Sequence, residues 1–384
     1  MALPPQVCIR GAGIVGRTLA LLLAGARVRV ALVAPAADAA ARAHEDIRAY
    51  ALNLASRQLL ESLRAWPDAA HATAVREMLV HGDDEGLVHF SAPHQKVEAL
   101  AWIVDVPALE QRLVDAVRFS PLIEVVDEPV AAPLTVVCEG KASATRELLR
   151  VRYEVTRYPQ HAIAARFEAE QPHDEIARQW FNDCGEVLAL LPLGGCGGRA
   201  VALVWSVDQA HAPRLLAQGQ DDFAASVREA CHNALGALKP VGERAAWPLQ
   251  RAIADRWTGR LPDGNSWALA GDAAHTVHPL AGQGLNLGLA DAQALASVIS
   301  TREHWRGAGD MRLLRHYERS RRADVLAMSL ATDGLQQLFA HSADPLPRIR
   351  NLGMRGFDRV GLLKSWVARR AMGLQRPASS RDTH

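Results

Sequence analysis

The 384-residue chain has few cysteines, no excess of charge and no long apolar run. Its five cysteines, Cys8, Cys138, Cys184, Cys196 and Cys231, never fall into C-x-x-C spacing. They read as reduced, mostly buried thiols of a cytosolic protein. The formal net charge is +1, so nothing in the total points to nucleic acid as a partner. The apolar stretch at residues 19–26 is far too short to span a bilayer. A strand pattern begins at Val7, so no signal peptide is expected. The expected location is the cytoplasm, with attachment to the inner face of the membrane as the alternative. There is no internal repeat, and no metal site is expected: His275 and His278 lack the i, i+4 spacing and the third ligand of a cluster. The length suggests about two domains with ample core.

What the chain does have is a polar, glycine-rich run between two apolar segments. Residues 266–270 read as a buried strand, and residues 285–299 carry a helical pattern. Between them stand Gly271, Asp272, His275, His278, Pro279, Gly282, Gln283 and Gly284, and the helix opens with Leu285 and Asn286. Strand, polar turn and glycine-rich helix start suit a large, flat, electron-rich cofactor. Gly282 and Gly284 let the backbone approach a ring closely. The free N–H groups and positive end of the helix favour negative charge, such as a reduced flavin carries on its pyrimidine side. Asp272, at the strand end, can accept hydrogen bonds from a polyol chain or simply cap the turn.

A second signal lies at the other end. Residues 7–10 read as a strand, Gly11-Ala12-Gly13-Ile14-Val15-Gly16 follows, residues 17–24 read as a helix and residues 27–33 as a second strand. This is the context that a G-x-G-x-x-G match requires. The first glycine permits the turn, the second lets a pyrophosphate approach the backbone, and the third lets helix and strand pack closely. One part is missing. The acid expected at the end of the second strand to hold a ribose hydroxyl is absent: that strand ends Val33-Ala34-Pro35, and the nearest acid is Asp38.

The rest of the chain alternates in character. Residues 49–63 carry helical spacing, residues 75–104 several short strands, and residues 107–119 a helix with Pro107 in its first turn. Strand patterns return between residues 151 and 207, two helices follow before residue 238, and from residue 284 onward nearly all is helical. The expected fold is α/β: a Rossmann-like nucleotide-binding domain with an inserted β-sheet domain and a helical C-terminus. The nucleotide domain would take residues 1–74, 105–150 and 251–340. Residues 75–104 and 151–250 would form the inserted sheet, and residues 341–384 an amphipathic tail. The crevice between the domains is the expected binding site.

With these residues in place, the chain resembles the ubiquinone-biosynthesis hydroxylases, a branch of the FAD-dependent aromatic monooxygenases built like para-hydroxybenzoate hydroxylase. The stretch from His278 to Asp291 is very close to that branch's signature. Arg48-Ala49-Tyr50-Ala51-Leu52 with Ser56, Leu190-Leu191-Pro192-Leu193, Leu203-Val204-Trp205 and Arg321-Arg322-Ala323-Asp324 look like further family segments. The resemblance implies that Gly11, Gly13 and Gly16 surround the FAD pyrophosphate. It places Arg48 at the phosphate–ribityl region, Asp272 on the ribityl chain, and Pro279 with the backbone of residues 282–286 along the isoalloxazine. Three departures accompany it. The acid after the second strand is absent. An Asp-Gly pair touching FAD and the nicotinamide is here Glu139-Gly140, with Arg146 only loosely at the usual spacing. The segment at residues 119–133 is short, as if a β-meander had been lost.

The implied chemistry needs no side-chain nucleophile. Dioxygen reacts poorly with closed-shell molecules; a reduced flavin can pass it an electron and form a hydroperoxide at carbon 4a, which delivers oxygen to an electron-rich phenol. The expected partners are therefore a phenolic small molecule, with a prenylated ring as one candidate, and O2. NAD(P)H or a protein donor would serve as reductant. His278 and Pro279 are the catalytic candidates beside the ring, although both histidines also suit plain turn roles. Arg48 has an alternative as a solvated residue, Glu139 as a turn acid, and Trp180 and Trp205 as core. The tail mixes Arg348, Arg350, Arg355, Arg359, Lys364, Arg369 and Arg370 with Ile349, Leu352, Phe357, Val360, Leu363 and Trp366. Such a segment suits a membrane surface, a quinone-biosynthesis partner or its own domain. Two other readings stand beside the hydroxylase: a flavin-poor scaffold in a quinone-biosynthesis complex, and a flavin oxidoreductase acting on another small molecule.

Overall fold

The computed structural model describes residues 3–35, 46–82, 86–182, 184–277 and 283–340. Short strands with almost no polar residue, Val7–Arg10, Val30–Val33, Leu134–Val137 and Ser266–Leu269, pair in parallel. Such runs are the mark of strands buried on both faces. Their six-stranded sheet runs in the order 258–260, 266–269, 134–137, 7–10, 30–33, 123–126, and only the 258–260 edge is antiparallel. Leu19 and Leu23 of the Ile14–Gly25 helix and Leu295 and Ile299 of the Gln283–Ser300 helix share one core with Ile9, Leu32, Val136 and Leu269.

A second, eight-stranded sheet is antiparallel apart from the pairing of Ile176–Phe181 with Glu77–His81. Its two long strands, Tyr153–Ala169 and Leu238–Ala254, run 17 residues each. The second passes residue 250, where a domain boundary was expected, without interruption. Period-2 alternation sends Ile163, Phe167, Leu203 and Trp205 to the outer face, against Phe223 and Val227 of the Gln220–Ala230 helix. Trp180 and Trp205 both belong to this core.

Residues 49–63 are not one helix. Ala49–Leu52 is a strand, Asn53 caps, and only Leu54–Ser62 is helical; the Asn53 side chain accepts from the Ser56 N–H at 2.9 Å. Ala49–Leu52 pairs antiparallel with Ala101–Asp105, which also pairs with Ala72–Val75. This three-stranded sheet joins the other two. Leu52, Trp102 and Val104 pack with the Val106–Arg118 helix, and Val75 and Ile103 pack on Ala177 and Ala202 of the large sheet and on Leu193 just beyond its Val187–Pro192 strand. Within the span expected to supply strands of the inserted sheet, Glu77–His81 and Leu87–Ser91 lie in the large sheet, and Ala101–Asp105 lies in the three-stranded one. The short 119–133 segment supplies one edge strand, Ile123–Val126.

One small strand decides where the sheets meet. After the 266–269 strand leaves the parallel sheet, His275–Thr276 pairs with Ala252 and Ile253 of the large sheet. The turn between them, Gly271–Ala273, therefore sits at the junction of the two sheets.

Candidate functional site

The three glycines of the first motif divide their work as the spacing implies. Gly11 has φ +105°, and a Cβ there would meet the Cys138 carbonyl oxygen at 2.5 Å. A Cβ on Gly16 would lie 1.9 Å from the Gly11 carbonyl oxygen, so this glycine lets helix and strand pack. Gly13 is different: among the described residues a Cβ there meets no atom within 4 Å. Gly13 is the N-cap of the Ile14–Gly25 helix, has no side-chain cap, and no acid occupies the first turn. The result is a bare helix N-terminus facing open space, which is the geometry that binds a pyrophosphate. The residues present thus fit FAD at this end.

The second half of the site is the turn after the 266–269 strand. Gly271 has φ +63°, and the closest atoms to a Cβ there belong to Val15, 3.3 Å away. Asp272 points out of the turn. The residue is exposed, yet the protein atoms around its carboxyl partly desolvate it. That desolvation raises its carboxyl above the ordinary range, opposed by the charges of His275, Lys141 and Arg48. Arg48 and Asp272 thus share one electrostatic neighbourhood. Arg48 itself is held by Asp46, with Nε at 2.8 and 3.0 Å from its two carboxylate oxygens, and reaches the Tyr50 hydroxyl at 3.3 Å. Beside the turn, Tyr153 donates to the Asp272 carbonyl at 2.8 Å, shares a hydrogen bond with Thr276, and lies under the Arg146 guanidinium at 3.7 Å. Burial pushes the Tyr153 phenol up to about 12.

Glu139 is fully engaged within its own loop. It accepts from Ser143 Oγ at 2.7 Å, Thr145 N at 3.0 Å and Thr145 Oγ1 at 2.6 Å, and pairs with Arg10 Nε at 3.1 Å. Against the cost of burial, these donors hold its carboxyl below the usual range. The loop binds inward as well: Arg146 donates to the Lys141 and Ala273 carbonyls. Glu139, Ser143 and Arg146 therefore act as one unit, which the loose sequence spacing did not suggest.

Asn286 is a clamp. Its Oδ1 accepts from Asn53 N at 3.0 Å and Ser56 Oγ at 2.7 Å, and its Nδ2 donates to the Ala51 carbonyl at 2.8 Å. It ties the start of the Gln283–Ser300 helix to the Arg48-bearing segment. Gln283 is buried, Leu285 packs with the Leu52–Trp102 core, and a Cβ on Gly284 would meet no atom of the described residues within 4 Å. His278, Pro279 and Gly282 lie outside the described residues.

Sequence reasoning assigned no role to the group beneath the turn. Asp291, fully buried, accepts from Gly271 N at 2.9 Å, His275 Nε2 at 2.6 Å and Arg321 Nε at 2.7 Å. Burial alone would raise its carboxyl; His275 and Arg321 hold it below the usual range instead. His275 also stacks on Trp257, with ring centroids 5.0 Å apart. Its bond is thus to a buried carboxylate rather than to nearby turn backbone. One signal was available: Asp291 is the sole charged residue between Gly284 and Ser300, and a lone acid inside an apolar helix requires a partner.

Among the described residues, no group of three His, Cys, Asp or Glu side chains could hold a metal ion. No described helix is long and apolar enough to cross a membrane.

The FAD binding domain family matches residues 110–330. Ubiquinone hydroxylase UbiL of Rhodospirillum rubrum is 30% identical over 395 residues, covering 96% of this chain and 89% of that protein. The 3-demethoxyubiquinol 3-hydroxylase of Escherichia coli is 29% identical, covering 97% and 99%. Among solved structures, p-nitrophenol 4-monooxygenase PnpA from Pseudomonas putida superimposes with a TM-score of 0.74 at 17% identity, over 98% of this chain and all of that one.

Proposed function

The chain belongs to the ubiquinone-biosynthesis hydroxylases of the FAD binding domain family, and from that premise we propose that it hydroxylates a phenolic ring of a ubiquinone precursor. It is an FAD-dependent monooxygenase. The observation that carries the site assignment is the pairing of two open features: the bare helix end at Gly13 and the carboxylate of Asp272. Among the described residues no protein donor meets the Asp272 side chain.

Bound FAD would supply the activation of O2 and transfer of one oxygen atom to the ring, with electrons from NAD(P)H or a protein donor. The protein's part is placement. Gly13 and the helix N–H groups would hold the pyrophosphate. Asp272 would accept from ribityl hydroxyls, and Arg48, oriented by Asp46, would face the phosphate–ribityl region. Gly271 would let the backbone turn away beneath that chain. Gly284 and the Gln283–Asn286 helix start would border the ring system and favour negative charge on it. Pro279, Gly282 and His278, with His278 and Pro279 as the groups beside the reacting ring, complete the assignment on sequence grounds. Glu139, already bonded to four donors, would shape its loop rather than grip a ligand. The tail at residues 341–384 would place the enzyme on a membrane surface or in a quinone-biosynthesis complex, where a prenylated substrate resides.

The purified protein loaded with FAD is the test. Near-stoichiometric flavin bands, substrate-dependent O2 uptake and a product heavier by one oxygen are expected. A colourless protein that cannot be loaded would favour a scaffold. Flavin reduction without oxygen insertion would favour another oxidoreductase. Expression in strains lacking each ring hydroxylase, with quinone intermediates read by mass, would identify the ring position.

A further inference from the structure

The Met311–Ala340 helix, the last among the described residues, reaches the strand before the cofactor turn and the carboxylate beneath it. Tyr317 donates to the carbonyl of Leu269, the last residue of its strand, at 2.9 Å. Glu318 accepts from Trp257 N at 3.0 Å and Thr258 Oγ1 at 2.7 Å. Arg321 pairs with Asp291 at 2.7 Å, donates toward the Leu287 carbonyl at 3.4 Å and is itself held by Asp324 at 2.6 Å. The far side of the same Asp291 carboxylate holds the Gly271 N–H and His275. One fully buried carboxylate therefore joins the positive-φ residue that starts the cofactor turn to a cation supplied from 30 residues further along the chain.

We infer that Asp291 and Arg321 are positioning residues for FAD, and that through them cofactor binding and docking of the Met311–Ala340 helix are energetically coupled. A buried carboxylate needs its cation: removing one partner leaves an uncompensated charge, which the surroundings relieve by rearranging or admitting water. With Arg321 gone, the remaining side-chain partner of Asp291 is His275, buried and stacked on Trp257, so the contact free to rearrange is the Gly271 N–H bond. Undocking the helix would therefore loosen the turn that carries Asp272. Coupling of this kind is reciprocal: whatever the docked helix adds to FAD affinity, FAD returns to helix docking. The inference rests on the reading that the Asp272 turn faces FAD.

Hydrogen exchange on the full chain, with and without FAD, is the first measurement. Amides of residues 317–325 should slow on loading, while those of the Gln220–Ala230 helix on the far face of the large sheet should change little. FAD affinity is then measured by flavin fluorescence for R321Q, R321K and D272A. R321Q should weaken binding by about 5- to 150-fold, the usual range of coupling between sites. R321K, which keeps the charge, should recover part of that loss. D272A weakening FAD while R321Q leaves both affinity and exchange unchanged would overturn the coupling and leave the site assignment standing. D272A with unchanged affinity would instead remove the site assignment itself. Should R321Q fail to fold, identical helix exchange in the wild-type protein with and without FAD would alone refute the coupling.

Discussion

Replacing Gly13 by alanine separates cofactor binding from folding. At Gly13 the backbone is extended (φ −81°, ψ −172°), a region alanine adopts freely, and the added Cβ meets no atom of the described residues within 4 Å. Alanine is a poorer N-cap than glycine by several tenths of a kcal/mol to about 1 kcal/mol. It also removes unfolded-state freedom worth about 0.4–1 kcal/mol in the opposite sense. The two nearly cancel, so the cofactor-free protein should melt within a degree or two of the wild type. If the open space is where a pyrophosphate lies against the backbone, the same methyl overpacks it. Overpacking costs about 1–3 kcal/mol, which converts to a loss of about 5- to 150-fold in FAD affinity. Gly16→Ala makes the contrast: its Cβ would lie 1.9 Å from a carbonyl oxygen of Gly11, so it should lower the melting temperature of the cofactor-free protein itself. The assays are thermal melts without FAD and fluorescence titration with it. Wild-type FAD affinity in G13A would refute the cradle, whatever the stability data showed.

Three further outcomes follow from the same geometry. D272A should leave the cofactor-free protein as stable as wild type or slightly more so, because no protein donor among the described residues meets this desolvated carboxylate; FAD affinity should fall about tenfold or more, the worth of a hydrogen bond to a charged group. E139A should destabilise the cofactor-free protein by about 2–4 kcal/mol in urea unfolding, since it strands Ser143, Thr145 and Arg10 donors at once; unchanged stability would show that the loop does not depend on Glu139. The third concerns acid. The Asp291 carboxyl is lower in the folded protein than in the unfolded chain, so the unfolded state binds the extra proton and stability rises with pH. Its contribution is complete above the ordinary carboxylate value of about 3.9 and is lost as pH falls through the depressed one. D291N should therefore be less stable than wild type at neutral pH, and the difference should shrink on acidification. A pH-independent difference in melting temperature would contradict that account.

Local signals in the chain determined a good deal. The three motif glycines, the apolar run before Gly271 and the helical pattern after Leu285 each depend on neighbours within a few residues, where backbone sterics and periodicity act. One departure that looked like a loss had a local explanation too: Glu139 with its longer arm is satisfied by Ser143 and Thr145, four and six residues on. Tertiary structure decided what depends on pairing across long separations. Ala49–Leu52 carries good helix formers, yet becomes a strand because Ala101–Asp105 offers it a ladder. His275 looked like a turn residue because its partner lies 16 positions away, and the cation that makes buried Asp291 tolerable lies 30 positions away. Spacing along a chain records which face a side chain takes; it does not record which charge from another helix will meet it there. Buried charge is stabilised only by close partners, and close partners are a property of the fold.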